Sequence, residues 1–225
     1  MNPSIMPRVV VEIGPVALTD TLLTSIALSL VLVAVAAALM RVPRTREWLE
    51  ITYESLERSI LETVQIDARP LVPLILTLWI FLLVANLAGL VPGLASPTRD
   101  LSITVALALV SFFSGHVYAF RARGVSYLRH YLEPSPFLLP FNIIGELSRT
   151  IAFALRLFGN MISGHLVTAI VVLLAGLLVP VPLLLLSVLT TVVQAYIFGV
   201  LTLVFAASAM QVATRPSQHP KKEPA

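Results

Sequence analysis

The sequence predicts an all-α integral membrane protein: five membrane-inserted helices plus one amphipathic helix on the cytoplasmic surface, with the last two spans forming a long, strongly tilted hairpin. Three observations lead there. Apolar residues make up 57% of the 225 positions, and charged residues only 12%, about half of what a soluble domain uses to face water. Five apolar stretches are each long enough to cross roughly 30 Å of hydrocarbon at about 1.5 Å per residue. The last two stretches run well past that length. This composition excludes a disordered chain and an ordinary water-soluble enzyme.

Residues 1–16, which read as an outer N-terminal segment, contain Arg8, Glu12 and Pro15 and no small-residue cleavage pattern, so Thr21–Met40 is not expected to be a removable signal peptide. The first span lies in 17–40, and Thr21–Met40 holds no charge. Residues 46–66 are not loop-like, because Leu49, Tyr53, Leu56, Ile60 and Val64 recur every three or four positions. Glu47, Glu50, Glu54, Glu57, Arg58 and Glu62 occupy much of the remaining surface, with Glu54 and Arg58 spaced to pair. Such a helix lies on the cytoplasmic membrane surface or docks on a partner's soluble helix. A solvated linker helix is the plainer alternative.

The second and third spans occupy 70–92 and 101–122, around Leu71–Val91 and Leu101–Phe120. The final pair occupies 137–179 and 183–214, its apolar stretches Asn142–Val179 and Leu183–Thr214 divided by the breaker Pro180-Val-Pro182. As helices these stretches would measure about 57 and 48 Å. Their ends are apolar, so steep tilt is expected in place of protrusion into water. Residues 215–225 read as a polar cytoplasmic tail.

Orientation follows from the basic residues. Arg41, Arg44, Arg46, Arg58, Arg69, Arg121, Arg123, Arg129, Arg215, Lys221 and Lys222 fall on one side, and only Arg8 and Arg99 on the other. The N-terminus is therefore expected outside and the C-terminus in the cytoplasm. The basic residues form short scattered groups and no nucleic-acid face. Cysteine is absent, which removes disulfides, thiolate nucleophiles and Cys-ligated metals.

An ionisable group inside a span is a functional hypothesis by default, because a central arginine costs from roughly 3 to above 10 kcal/mol. Arg156 lies about halfway along Asn142–Val179, too deep to snorkel easily to either surface. Arg149, Arg156 and Ser163 are seven apart and so lie within about 20° of one another per repeat on the helical wheel. Ala152, Gly159 and Asn160 lie on or beside that face, making a stripe of small side chains that another helix can approach. His165 is nine residues on and faces roughly the opposite way. Glu146, ten residues before Arg156, is separated from it by about 15 Å of helical rise, too far for a direct pair on one helix. The counter-charge of Arg156 is therefore expected from another subunit.

Leu155-Arg156-Leu-Phe-Gly-Asn160-Met, preceded by Ile144-Gly-Glu146-Leu-Ser148 and followed by Gln194-Ala-Tyr-Ile-Phe198, resembles subunit a of the F-type (rotary) ATP synthase. The resemblance extends to Asn86 with Leu90-Val-Pro92 and to Asp100-Leu-Ser-Ile-Thr104, and covers about residues 20–212. It implies a stator for rotary proton transfer in a bacterial plasma (inner) membrane. Its partners would be a c-subunit ring, the subunit b stator, the remaining ATP synthase subunits and membrane lipid. In this family the tilted hairpin lies along the c-ring, and two offset half-channels reach the ring from opposite sides.

Arg156 matches the family's essential arginine, whose guanidinium stays charged at any accessible pH. It holds a passing rotor carboxylate ionised, whereas the same carboxylate facing lipid takes up a proton. His165 matches a position lining the outer half-channel, where an imidazole relays protons or is simply satisfied by hydrogen bonds. Ser187 stands where the family often has an ionisable partner for that position, and His116 in the third span is a candidate to complete the path or a packed histidine. Gln194 is expected to face Arg156 across the hairpin, and Asn86 matches another recurrent polar position; each serves the path or a helix–helix hydrogen bond. Glu146 matches an acidic group that some members place in the cytoplasmic half-channel, and Asn160, one turn beyond Arg156, is expected to line the same region. No phosphate-binding glycine loop is present, so the chain is expected to be non-catalytic alone, with no cofactor and no metal. The competing readings are a secondary ion transporter using intramembrane Arg, Glu and His, and a membrane anchor without a proton path. The first predicts repeat symmetry that the sequence lacks, and the second leaves Arg156 unexplained.

Overall fold

The computed structural model describes residues 9–13, 16–64, 68–89, 96–124, 127, 137, 139–175 and 180–211. The helices are α1 (Asp20–Met40), α2 (Pro43–Thr63), α3 (Val72–Ala88), α4 (Leu101–Arg123), α5 (Leu139–Ala175) and α6 (Pro180–Gln211). Among the described residues, five helices are long and apolar enough to cross a membrane, and α2 is the helix that is not. The expected all-α membrane architecture is therefore what the chain adopts. The segment before α1 adds a feature that helical periodicity does not foresee. Strands β1 (Val9–Ile13) and β2 (Val16–Thr19) pair antiparallel, with Val9 opposite Thr19, in a run rich in β-branched residues.

Local chemistry sets the helix ends. The Thr19 hydroxyl caps α1 by accepting from the Leu22 N–H, and Asp20 places negative charge in the first turn. Asp100 caps α4 by accepting the Ser102 N–H at 2.9 Å, and Gly124, at φ 61°, ends that helix in a conformation other residues rarely adopt. Pro180 and Pro182 were expected to break the chain between the last two helices. They instead form the first turn of α6, where backbone N–H groups have no intrahelical acceptor and proline is tolerated.

The bundle is built on α6, which packs against α3, α4 and α5, while α4 also packs along α5. Near the middle, Leu78, Leu82, Ala108, Phe153, Leu157, Ala195 and Phe198 form one buried cluster. Small residues let the helices approach closely. A Cβ on Gly115 would lie 3.6 Å from the Ala206 Cα, and Ser111 and Thr202 share a 2.7 Å hydrogen bond between α4 and α6. The Trp79 indole occupies the space beside Gly199 and stacks on Tyr196 with centroids 5.5 Å apart. By contrast α1 buries only Thr21, and its packing is chiefly against β2, α2, α3 and the Pro97–Asp100 segment that leads into α4.

The amphipathic helix is half docked. Ile60 is buried against Ala68, Leu71, Ile75 and Leu203, with Leu56, Leu61 and Val64 beside it, which excludes a solvated linker. Trp48 and Ile51 at its other end remain exposed. The i,i+4 pair that forms is Arg46–Glu50 at 2.7 Å, not Glu54–Arg58. The expected tail 215–225, with its three basic residues, and Arg8 and Arg129 lie outside the described residues.

The glycines supply a test of this packing. Gly199→Ala places a Cβ on the Trp79 Nε1 and must displace the indole, for a loss of about 1–3 kcal/mol. Gly159→Ala meets no neighbouring group within 4 Å and should leave thermal unfolding in detergent unchanged or slightly raised.

Candidate functional site

Two cavities open at opposite ends of the bundle. The first, about 340 Å³, lies where the second half of α4, the first half of α5 and the end of α6 meet, and is lined by His116, Tyr127, Glu146, Arg149 and Phe205 among others. The second, about 330 Å³, lies between the end of α3, the second half of α5 and the start of α6, and is lined by Asn86, Asn160, His165, Ser187 and Thr191 among others. Each has room for several waters and polar groups to hold them.

In the first cavity the His116 Nε2 lies 3.1 Å from the Glu146 Oε2, joining α4 to α5. The His116 Nδ1 faces its own helix, 2.9 Å from the Phe112 carbonyl. Tyr127 meets the imidazole edge-on at 6.0 Å. Arg149 lies 4.0 Å over the Phe205 ring of α6, a cation–π contact that fixes the guanidinium against the cavity wall.

In the second cavity Asn86 is buried, and its Oδ1 accepts from the Thr98 hydroxyl. Thr98 and Ser96 share a 2.9 Å hydrogen bond, and Ser96 donates to the Ala85 carbonyl at 3.1 Å. The His165 Nε2 lies 3.5 Å from where a Cβ on Gly89 would stand, so glycine there leaves room for the imidazole. Beyond this wall, Arg99 approaches Asp20 at 3.7 Å, and Asp100 accepts from Thr21 at 2.7 Å, tying α1 to the start of α4.

Arg156 belongs to neither cavity. Along α5, Phe153 is the last residue lining the first and Asn160 the first lining the second. Arg156 stands between them, about 4.5 and 6 Å of helical rise from each. It is exposed, and among the described residues it makes no hydrogen bond or ion pair. A Cβ on Gly145 or Gly159 meets nothing within 4 Å, and Ile151, Leu155, Leu189 and Tyr196 are exposed on the same two helices. The charge thus sits on an uncovered apolar face of α5 and α6.

This arrangement coincides with sequence relationships. The family model for the ATP synthase A chain matches residues 18–207. The chain belongs to the ATP synthase A chain family. It is similar to ATP synthase subunit a 1 of Hahella chejuensis, 48% identical over 181 residues that cover 78% of this chain and 77% of the relative. Subunit a 2 of Pelobacter propionicus is 44% identical over 172 residues, 74% of this chain and 75% of the relative. Subunit a of Legionella pneumophila is 47% identical over 129 residues, 57% of this chain and 54% of the relative. Members of this family are ion-transport subunits of the membrane sector and are not themselves catalytic.

Within that family frame, the residues singled out in the sequence separate cleanly. Asn86, Asn160, His165 and Ser187 share one cavity, and Glu146 and His116 share the other. His116 therefore does not join His165, and Glu146 pairs with a different helix instead of with Arg156. Asn160 lines the cavity of His165, not that of Glu146. Gln194 is buried at 7% exposure beside the Phe153–Leu157–Ala195 packing, and its Nε2 has no partner among the described residues. Sequence reasoning missed the Ser96–Thr98 wall behind Asn86 and the Arg149–Phe205 contact, both of which join residues distant in the chain.

The Asn86 wall is testable by a double-mutant cycle. Thr98→Val leaves the buried Asn86 oxygen unpaired and should cost about 1–3 kcal/mol in detergent unfolding. Adding Asn86→Leu should cost less than the sum of the two single changes, because both remove the same bond.

Proposed function

We propose that this chain is the proton-translocating stator of a rotary ATP synthase, with Arg156 facing a ring of c subunits and the two cavities serving as offset half-channels. One observation carries the reading: an arginine that has no partner among the described residues stands on an uncovered face, between cavities that open at opposite ends. An intramembrane charge needs a counter-charge, and a rotor carboxylate is the partner of matching chemistry. The excess of Lys and Arg on one side supports an outside N-terminus, so the Glu146 cavity would open to the cytoplasm and the His165 cavity to the outside. Five apolar helices and bacterial relatives support a bacterial inner membrane.

The physics of the cycle is short. A proton entering through the outer cavity, past Asn86, His165, Ser187 and Asn160, neutralises a rotor carboxylate, which can then enter lipid. After nearly a full turn the carboxylate reaches the Glu146 cavity and releases its proton there, because Arg156 favours the ionised form. The ionised carboxylate passes Arg156 and is ready to load again. The permanent guanidinium charge repels a proton moving directly from one cavity to the other. Each charge crossing the full potential supplies about 2.3 kcal/mol per 100 mV. Gln194, buried at the level of the arginine, would keep that part of the hairpin polar. Subunit b would complete the stator.

The decisive experiment is Arg156→Ala in the assembled complex, with ATP-driven acidification of inverted vesicles as the readout. Coupled pumping should fall to background while the subunit still assembles. Pumping at the unmodified rate would overturn the proposal.

A further inference from the structure

We propose that His116 and Glu146 act as one proton-holding unit at the cytoplasmic cavity, so that His116 serves the half of the path opposite to His165. This inference rests on the stator reading above. Its basis is the hydrogen-bond geometry of one imidazole. The Phe112 carbonyl, 2.9 Å from Nδ1, can only accept, so Nδ1 carries a hydrogen. The Nε2 then meets the Glu146 Oε2 at 3.1 Å, and two bare lone pairs would repel at that distance. The contact therefore contains a proton. It is either an imidazolium donating to a carboxylate or a neutral imidazole accepting from a carboxylic acid, and the two forms differ only in where that proton rests.

The unit is placed to exchange that proton with water. Both side chains are about 30% exposed and line the same cavity, and their contact bridges α4 and α5. Loss of the proton to cavity water leaves the carboxylate facing a bare imidazole nitrogen, and the contact opens. Rebinding from a hydronium ion closes it, so charge and mass balance with water alone as the co-reactant. The other titratable groups on this cavity among the described residues are Arg149 of α5, held over Phe205, and Tyr127. From α6 the lining is Phe205, Ser208 and Ala209, which do not titrate. A rotor proton released near Arg156 would thus meet its first ionisable acceptor in this unit, about ten residues along α5.

The test uses the assembled complex in proteoliposomes, with Glu146→Gln, His116→Gln and the double variant. His116→Gln keeps a side-chain donor for Glu146 and so preserves the helix contact while removing the titration. Passive proton conduction through the membrane sector should fall about tenfold or more in each single variant. Its dependence on cytoplasmic-side pH should lose one titration step, and the double variant should be no slower than the slower single one. Glu146→Asp should restore part of the conduction and the step. An unchanged pH profile in both single variants, or fully additive losses, would overturn the unit. If assembly fails, nitrogen NMR of His116 in the unmodified complex decides: an Nε2 without a shared proton across the working pH range refutes it. Arg156→Ala in the same preparation separates the two proposals, since an inert Arg156→Ala sinks the stator reading, and inert pair variants sink only this one.

Discussion

A positive charge that cannot be titrated away, at the middle of a membrane-length helix, is the constraint around which the rest of the structure is arranged. Burying it unpaired would cost more than the packing of its neighbours returns. The helix solves this by splitting its circumference. Phe153, Ala154 and Leu157 face the interior, while Leu155 and Arg156, next to them in sequence, face outward. One side of α5 is thus a core stripe and the other an open face. Among the described residues, α4, α6 and the Pro97–Arg99 turn are the elements that pack on α5.

The same economy governs the other polar groups. Leu78, Leu82, Phe153, Leu157 and Phe198 make the centre of the bundle apolar and close-packed. Asn86, His165 and Ser187 collect beyond it at one end, and His116, Glu146 and Arg149 at the other. Among the described residues the two cavities share no lining residue, and a mostly apolar, packed centre lies between them. On the proposed reading, an ion can pass between the ends only by leaving the chain on one side of Arg156 and returning on the other. That is what a moving carrier beside the open face would supply, and it explains why a packed core and a translocation path coexist in so short a bundle.

Much of this was legible in the sequence, and the exceptions have a common cause. Span number, the amphipathic helix and the isolation of Arg156 follow from composition, period and distance along one helix. The prolines at 180 and 182 mark the division between the last two helices, but they lie inside the first turn of α6, because proline is favourable where a helix begins. The strands before α1 are too short for helical periodicity to reveal them. Within the site, the opposed directions of Arg156 and His165 followed from their spacing on one helix: Arg156 is exposed and His165 turns toward the end of α3. Partnerships did not follow in this way, as His116 and Glu146 show. Which helix faces which is a tertiary fact, and a separation of 30 positions carries no local signal of their 3.1 Å contact.

The two arginines of α5 bring the point to its sharpest form. Arg149 and Arg156 are one heptad apart on one face, and period alone treats them alike. Their surroundings differ. Arg149 reaches an aromatic ring of α6 and lies at a cavity wall, so its charge is engaged within the chain. At the height of Arg156 the stripe passes Ala152 and Gly159, which offer no aromatic face or carboxylate, and Gly159 leaves open space beside it. A group approaching from outside therefore meets one engaged cation near the first cavity and one available cation between the two cavities. Small residues, by leaving the second arginine nothing to hold among the described residues, are what make it available to a partner.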